Sequence, residues 1–171
     1  MKLLSDWGFS WAGWQQGNRG EYWVLAQALL VLGFVLLPVY RLPNLKPPVM
    51  VGLYLILPGA IALFLLALLF FGKGLLDLGQ SLTPLPHPRE DGQLVESGVY
   101  GLVRHPIYTG VVCGCLAWAL YQMSVSHLLG AIAFFLFFNA KASREEQWLT
   151  EKYPDYPAYQ QRVKKLIPWI Y

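Results

Sequence analysis

The stretch RHPIYTGVVCGCLAWALYQMSVSHLLGAIAFFLFFNAKASREE, residues 104–146, decides the fold. Arg104 and Lys141 bracket its apolar part, and no Asp, Glu, Lys or Arg lies between them. A run of that length without charge suits hydrocarbon, where one charged side chain at a helix centre costs about 3 kcal/mol. It is too long for a single crossing, which takes about 20 residues. Near its middle Ser124 to His127 interrupts the pattern. The stretch therefore reads as a hairpin, with one span over residues 107–123, a tight turn at 124–127, and a second span over 127–139. The second apolar run is short, so its helix is expected to continue past Lys141 and Glu145 toward Tyr153. A chain that enters lipid and returns leaves both polar ends on one side. His105 would then face Glu145 and Glu146 at the membrane surface.

Two further apolar runs lie upstream, over residues 22–40 and 49–72. Pro58 and Gly59 fall inside the second and predict a kink. Between these runs, residues 41–48 hold Pro43, Pro47 and Pro48 and read as a short turn. Residues 73–99 carry Pro84, Pro86, Pro88 and charges of both signs. They read as a water-facing loop with a short amphipathic start over 73–80. Trp7, Trp11 and Trp14 mark an interfacial segment, because tryptophan favours the headgroup level. That segment lacks an apolar core of signal-peptide length. The expected fold is an all-α integral membrane protein, a small bundle of about four transmembrane helices with a cytoplasmic C-terminal cap. It forms one membrane domain over 1–171, with an N-terminal segment and two spans over 1–72 and a core over 73–171.

Composition agrees. Charged residues make up 13% and hydrophobic ones 56%, against about 25% charged in an ordinary soluble protein. The net charge of +3 is too small to suggest nucleic acid. Its distribution is more telling: with four spans, eleven of the 13 Lys and Arg fall on the side of the N-terminus, the 73–106 segment and the C-terminal tail, and only Arg41 and Lys46 fall opposite. The positive-inside rule places both termini and the polar segments in the cytoplasm. Cys113 and Cys115 are two residues apart on an apolar helix and point to different faces. They offer neither a mutual disulfide nor a metal site, and burial silences a thiol nucleophile. No metal-ligand spacing, Ser/His/Asp arrangement or phosphate-binding glycine loop stands out.

Arg104-His105-Pro106-Ile107-Tyr108 opens the third span. Pro106 suits the first turn of a helix, and the free N–H groups of that turn suit an anionic ligand group. Read alone, Arg104 and His105 serve equally as headgroup anchors. Glu145 and Glu146 stand close to lipid, where a carboxylate must be solvated, paired or functional. Read alone, an i,i+4 pair between Lys141 and Glu145 on a solvated helix end explains them more simply. Tyr153, Tyr156 and Tyr159, followed by Arg162, Lys164 and Lys165, read as an aromatic-packed cap near anionic headgroups.

The combination is more specific than its parts. Leu94-Val-Glu-Ser-Gly-Val-Tyr100, Arg104-His-Pro-Ile-Tyr-Thr-Gly110, Glu145-Glu146 with Leu149, and Tyr156, Tyr159 and Arg162-Val163 together resemble the isoprenylcysteine carboxyl methyltransferase family. The wider phospholipid methyltransferase group shares much of the pattern, which covers residues 78–170. The resemblance implies an S-adenosyl-L-methionine-dependent membrane methyltransferase acting on a lipid or isoprenoid-linked acceptor, with carboxylate O-methylation favoured. It implies that the cofactor lies among Gln93, Leu94, Val95, Tyr100, His105, Pro106, Ile107, Tyr108, Glu145 and Glu146. His105 and Glu145 are the implied catalytic residues. Lys141 falls where the eukaryotic enzymes place a substrate-contacting arginine, and Arg144 is taken with it as substrate-binding. The implied partners are a lipid-soluble methyl acceptor and membrane lipids, without nucleic acid or metal.

The chemistry is consistent with that cofactor. Tyrosine faces stabilise a sulfonium cation, Glu145 suits an amino group, and His105 or the helix-start N–H groups suit a carboxylate. A carboxylate acceptor needs no base, whereas an amine must lose a proton, for which His105 and Glu145 are candidates. Two alternatives stand beside this reading. The ending Tyr159…Arg162-Val…Ile167-Pro-Trp-Ile-Tyr171 also resembles the membrane sterol reductases, which use NADPH. A non-enzymatic membrane scaffold would show degraded site residues, and here Tyr100, His105, Tyr108 and Glu145 are all present.

Overall fold

The computed structural model describes residue 17, residues 19–42 and residues 48–171. Among these, four long helices and one short helix form the protein. They are α1 (Glu21–Leu36), α2 (Val49–Ser81), α3 (Pro106–Gln122), α4 (Val125–Lys152) and α5 (Tyr156–Arg162). By length and composition α2 and α4 are able to cross a membrane, while α1 is shorter, at 16 residues, and α3 has 17. Only 17% of the most apolar window of α2 is buried. Leu53, Ile61, Phe64, Leu65 and Leu68 remain exposed along it. An apolar surface of that extent is expected where lipid is the solvent.

Helix α3 lies close against α2. A Cβ on Gly110 would stand 2.6 Å from the backbone nitrogen of Phe71 and 3.0 Å from the carbonyl of Ala67, so only glycine allows this approach. Helix α4 packs on α3 through Cys115, Ala131, Phe134 and Phe138. Helix α1 leans on α4, with Phe34 edge-on to Phe134 at 5.6 Å.

The hairpin turns where Met123 adopts a left-handed backbone (φ 48°) and Ser124 caps α4 by accepting from the His127 N–H. Residues 125–127, expected in the turn, are thus the first helical turn of α4. At this end of the bundle Val125 N–H donates to Tyr40 O at 2.9 Å, and Arg41 Nε donates to Gln122 O at 2.8 Å. At the other end Arg19 pairs with Glu90 at 3.1 Å. The start of α1, the loop after α2 and the end of α4 therefore share one side, as an even number of crossings requires. At 1.5 Å per residue the 28 residues of α4 span about 42 Å, against a hydrocarbon core of about 30 Å. The helix is thus longer than one crossing needs and continues past Lys141 and Glu145, as expected for the fourth span.

Three sequence expectations change. The irregularity expected at Pro58 and Gly59 is a π-helical segment over Gly52–Ile56, where Leu57 N–H reaches back to Gly52 O. The wider turn just ahead of Pro58 makes room for its ring. Residues 73–80 are not a separate amphipathic start but belong to the end of α2. The boundary drawn at 72/73 accordingly falls inside a continuous helix. The tryptophan-rich segment over residues 1–16 and most of the turn at 41–48 lie outside the described residues.

Beyond α5 the chain folds back beneath α3 as a strap. Arg104 N–H donates to Lys164 O at 2.8 Å and His105 N–H to Lys165 O at 3.1 Å. The Thr109 hydroxyl donates to Leu166 O at 2.8 Å.

Candidate active site

His105 is the N-cap of α3, with φ −125° and ψ 64°. Pro106 disfavours the helical region for the residue before it, and the strap fixes the backbone on the other side. The imidazole stacks on Tyr108 (5.4 Å, 4°), and Tyr108 stacks on Phe138 (4.6 Å, 14°). Its Nε2 lies 3.1 Å from Glu146 Oε1. A carboxylate only accepts, so this contact places the hydrogen on Nε2. The same oxygen accepts from Arg104 Nε at 2.8 Å and faces Arg104 Nη2 at 2.7 Å. Arg104 Nη1 also donates to the carbonyls of Gln160 and Val163. A buried, multiply bonded ion pair thus supports the imidazole from below.

Glu145 is one residue along α4 and turns to the other side of His105. Its Oε2 accepts from the Tyr108 hydroxyl at 2.7 Å and stands 3.7 Å from His105 Nδ1. One turn earlier, Lys141 is only 2% exposed. Its ammonium donates to Gln27 Oε1 at 2.7 Å and Pro84 O at 3.3 Å, and sits 5.3 Å from the Tyr108 ring centroid.

These groups surround a cavity of about 320 Å³, within the size range of small-molecule sites. Of the sequence-predicted residues, Gln93, Leu94, Val95, Tyr100, His105, Pro106, Ile107, Tyr108, Lys141 and Glu145 line it. Glu146 does not line it and lies under His105 with Arg104. Arg144 is also outside it: the exposed guanidinium covers Trp148 at 4.4 Å and donates to Gln147 Oε1 at 2.6 Å.

The cap tyrosines are pinned by hydrogen bonds. Tyr100 donates to Gly74 O at 3.2 Å, Tyr159 to Tyr100 O at 2.6 Å, and Tyr153 to Gly92 O at 2.7 Å. Burial pushes the Tyr100 and Tyr159 hydroxyls well above the usual phenol range, so both stay protonated donors. Sequence reasoning missed Gln27 and the Pro84 carbonyl. The one available signal was an amide inside the apolar 22–40 run, a costly place for a polar group without a role.

Residues 52–156 match the phospholipid methyltransferase family. The chain belongs to that family. Its curated relatives include methanethiol S-methyltransferase 1 of Bradyrhizobium diazoefficiens, 39% identical over 72 residues, covering 42% of this chain and 25% of the relative. The protein-S-isoprenylcysteine O-methyltransferase of Schizosaccharomyces pombe is 30% identical over 102 residues, 57% of this chain and 43% of the relative. The mouse Delta(14)-sterol reductase is 39% identical over 85 residues, 46% of this chain and 20% of the relative. The chain thus spans less than half the length of these relatives. The solved structure of the eukaryotic intramembrane Ras methyltransferase, an isoprenylcysteine carboxyl methyltransferase, superimposes with a TM-score of 0.61 at 20% identity. It covers 90% of this chain and 54% of its own, so this phospholipid methyltransferase family member shares that membrane fold.

Proposed function

We propose that the protein is a membrane methyltransferase that uses S-adenosyl-L-methionine and acts, from the cytoplasmic side, on a membrane-soluble acceptor. One observation carries the reading. Tyr100, His105 and Tyr108, close in sequence, share one cavity with Glu145 from the far end of the hairpin. The donor set fits the cofactor: tyrosine faces for a sulfonium, a carboxylate for an amino group, and apolar Leu94, Val95 and Ile107 for a flat ring. When bound, the cofactor supplies an electrophilic methyl group.

The chain's own residues then bind, orient and exclude water. Glu145 takes up the amino group, and its hydrogen bond from Tyr108 fixes the carboxylate's direction. His105 is held against Glu146 and Tyr108 so that Nδ1 turns toward the cavity side of Glu145. The Tyr108 ring, backed by Phe138, presents an aromatic face to the cavity, and shielding from water strengthens the charge interactions beside it. Methyl transfer to an anionic acceptor then depends mainly on alignment, which can supply several kcal/mol. Carboxylate O-methylation is favoured because buried Lys141 lines the cavity.

The test is binding of S-adenosylhomocysteine to purified protein by titration calorimetry, with Glu145→Ala alongside. Wild-type binding that is lost in the variant supports the reading. Binding of NADPH without S-adenosylhomocysteine would move the protein to the reductase side of its relatives. Labelled methyl transfer into a whole-lipid extract, with mass identification of the product, then finds the acceptor.

A further inference from the structure

The ammonium of Lys141 is only 2% exposed and has neutral partners, the Gln27 carboxamide oxygen and the Pro84 carbonyl. Among the described residues no carboxylate lies within ion-pair distance of it. A buried cation is costly without a close counter-charge, and the carboxylate that acts on it through space, Glu145 one turn along α4, makes no ion pair with it. Two neutral acceptors leave one of its three N–H groups over. Gln27 resolves its own orientation: an ammonium only donates, so the amide oxygen faces Lys141, and its NH₂ has no hydrogen-bond partner among the described residues. Both side chains line the cavity. Gln27 sits on α1, which lies outside the residues matched by the family.

We propose that Gln27 and Lys141 together seat the negatively charged head of the methyl acceptor, a carboxylate or a thiolate, and that this pair rejects an amine. The proposal rests on the methyltransferase reading and names the substrate class of that same cavity. The head accepts one N–H from each residue, and its charge supplies what the buried ammonium lacks. A lone pair on the anionic oxygen or sulfur forms the bond to the methyl carbon. The donor's carbon–sulfur bond breaks and its electron pair stays on sulfur, so no proton has to leave. A thiol acceptor gains further, because a neighbouring ammonium favours its ionised form. A protonated amine meets repulsion and has no free lone pair to offer.

The experiment uses the full chain in lipid nanodiscs, as wild type, Gln27→Leu and Gln27→Glu. The probes are a dodecyl thioether carboxylic acid, dodecanethiol and dodecylamine. Equilibrium binding of each probe is measured with S-adenosylhomocysteine present, followed by labelled methyl transfer. The wild type should hold and methylate the acid or the thiol and not the amine, and the two anionic arms decide between them. Gln27→Leu should weaken anion binding about ten- to a hundredfold, the size of one lost hydrogen bond to a charged group. Gln27→Glu should weaken it further, because the new carboxylate pairs with Lys141 and repels the anion. S-adenosylhomocysteine affinity should stay within about twofold in both variants, since Gln27 is assigned to the acceptor and not to the cofactor. Preference for the amine, unchanged anion binding in both variants, or loss of S-adenosylhomocysteine binding in both would overturn the assignment. A wild type that binds no S-adenosylhomocysteine would overturn the methyl-donor reading and this assignment with it.

Discussion

Arg104 and Glu146, 42 residues apart, meet at 2.7 Å with both side chains nine-tenths buried. The pair joins the start of α3 to the last turns of α4 and carries His105 on its upper edge. Removing one partner of such a pair leaves a buried charge uncompensated, at about 3–5 kcal/mol. Glu146→Ala and Arg104→Met should therefore each lower the unfolding midpoint strongly. Glu145→Ala, which frees only the Tyr108 hydroxyl, should lower the midpoint far less and abolish S-adenosylhomocysteine binding. Thermal unfolding and calorimetry on the three variants separate the two neighbouring carboxylates by role.

Gly98 has φ 61°, and a Cβ there would lie 2.1 Å from Asp77 Oδ2, the acceptor of the Val99 N–H at 3.0 Å. Gly98→Ala would strain the backbone and push Asp77 off the turn that carries Tyr100. The expected cost is about 1–3 kcal/mol, with weaker S-adenosylhomocysteine binding because Tyr100 lines the cavity. Asp77→Asn, which keeps an acceptor at the same place, should cost less in the same unfolding assay.

The strap of residues 163–171 holds the backbone of Arg104 and His105 and the hydroxyl of Thr109. A stop codon after Arg162 should leave the four long helices inserted, since none of them contains the strap. It should reduce S-adenosylhomocysteine affinity by an order of magnitude or more, through misplacement of His105. Protease protection in membranes checks insertion, and calorimetry checks the site.

Two cap tyrosines predict opposite outcomes for the same change. Tyr159 donates to Tyr100 O at 2.6 Å, so Tyr159→Phe leaves a buried carbonyl short of a donor and should cost about 1–2 kcal/mol. Tyr156 is 1% exposed, and its hydroxyl has no hydrogen-bond partner among the described residues. Tyr156→Phe removes an unsatisfied polar atom and should leave the unfolding midpoint unchanged or raise it.

The membrane class, the hairpin and the shared side of the His105 and Glu145 segments were legible from the residues alone. Hydrocarbon length and the cost of intramembrane charge are local properties, readable from a run such as residues 105–140. The candidate site was legible only through the combination of Tyr100, His105, Tyr108 and Glu145 and its resemblance to a methyltransferase family, because His105 and Glu145 read singly suit a headgroup anchor and a solvated helix end.

Tertiary structure alone decided how two adjacent carboxylates divide their work. Glu145 and Glu146 are alike in sequence, but one residue step turns a side chain about 100° around a helix. That step sends one to the cavity and the other to Arg104. It also decided that Arg144 faces Trp148 and that α1 contributes Gln27 to the cavity. Contacts between helices far apart in the chain leave no periodic trace in either helix, so only packing could reveal them.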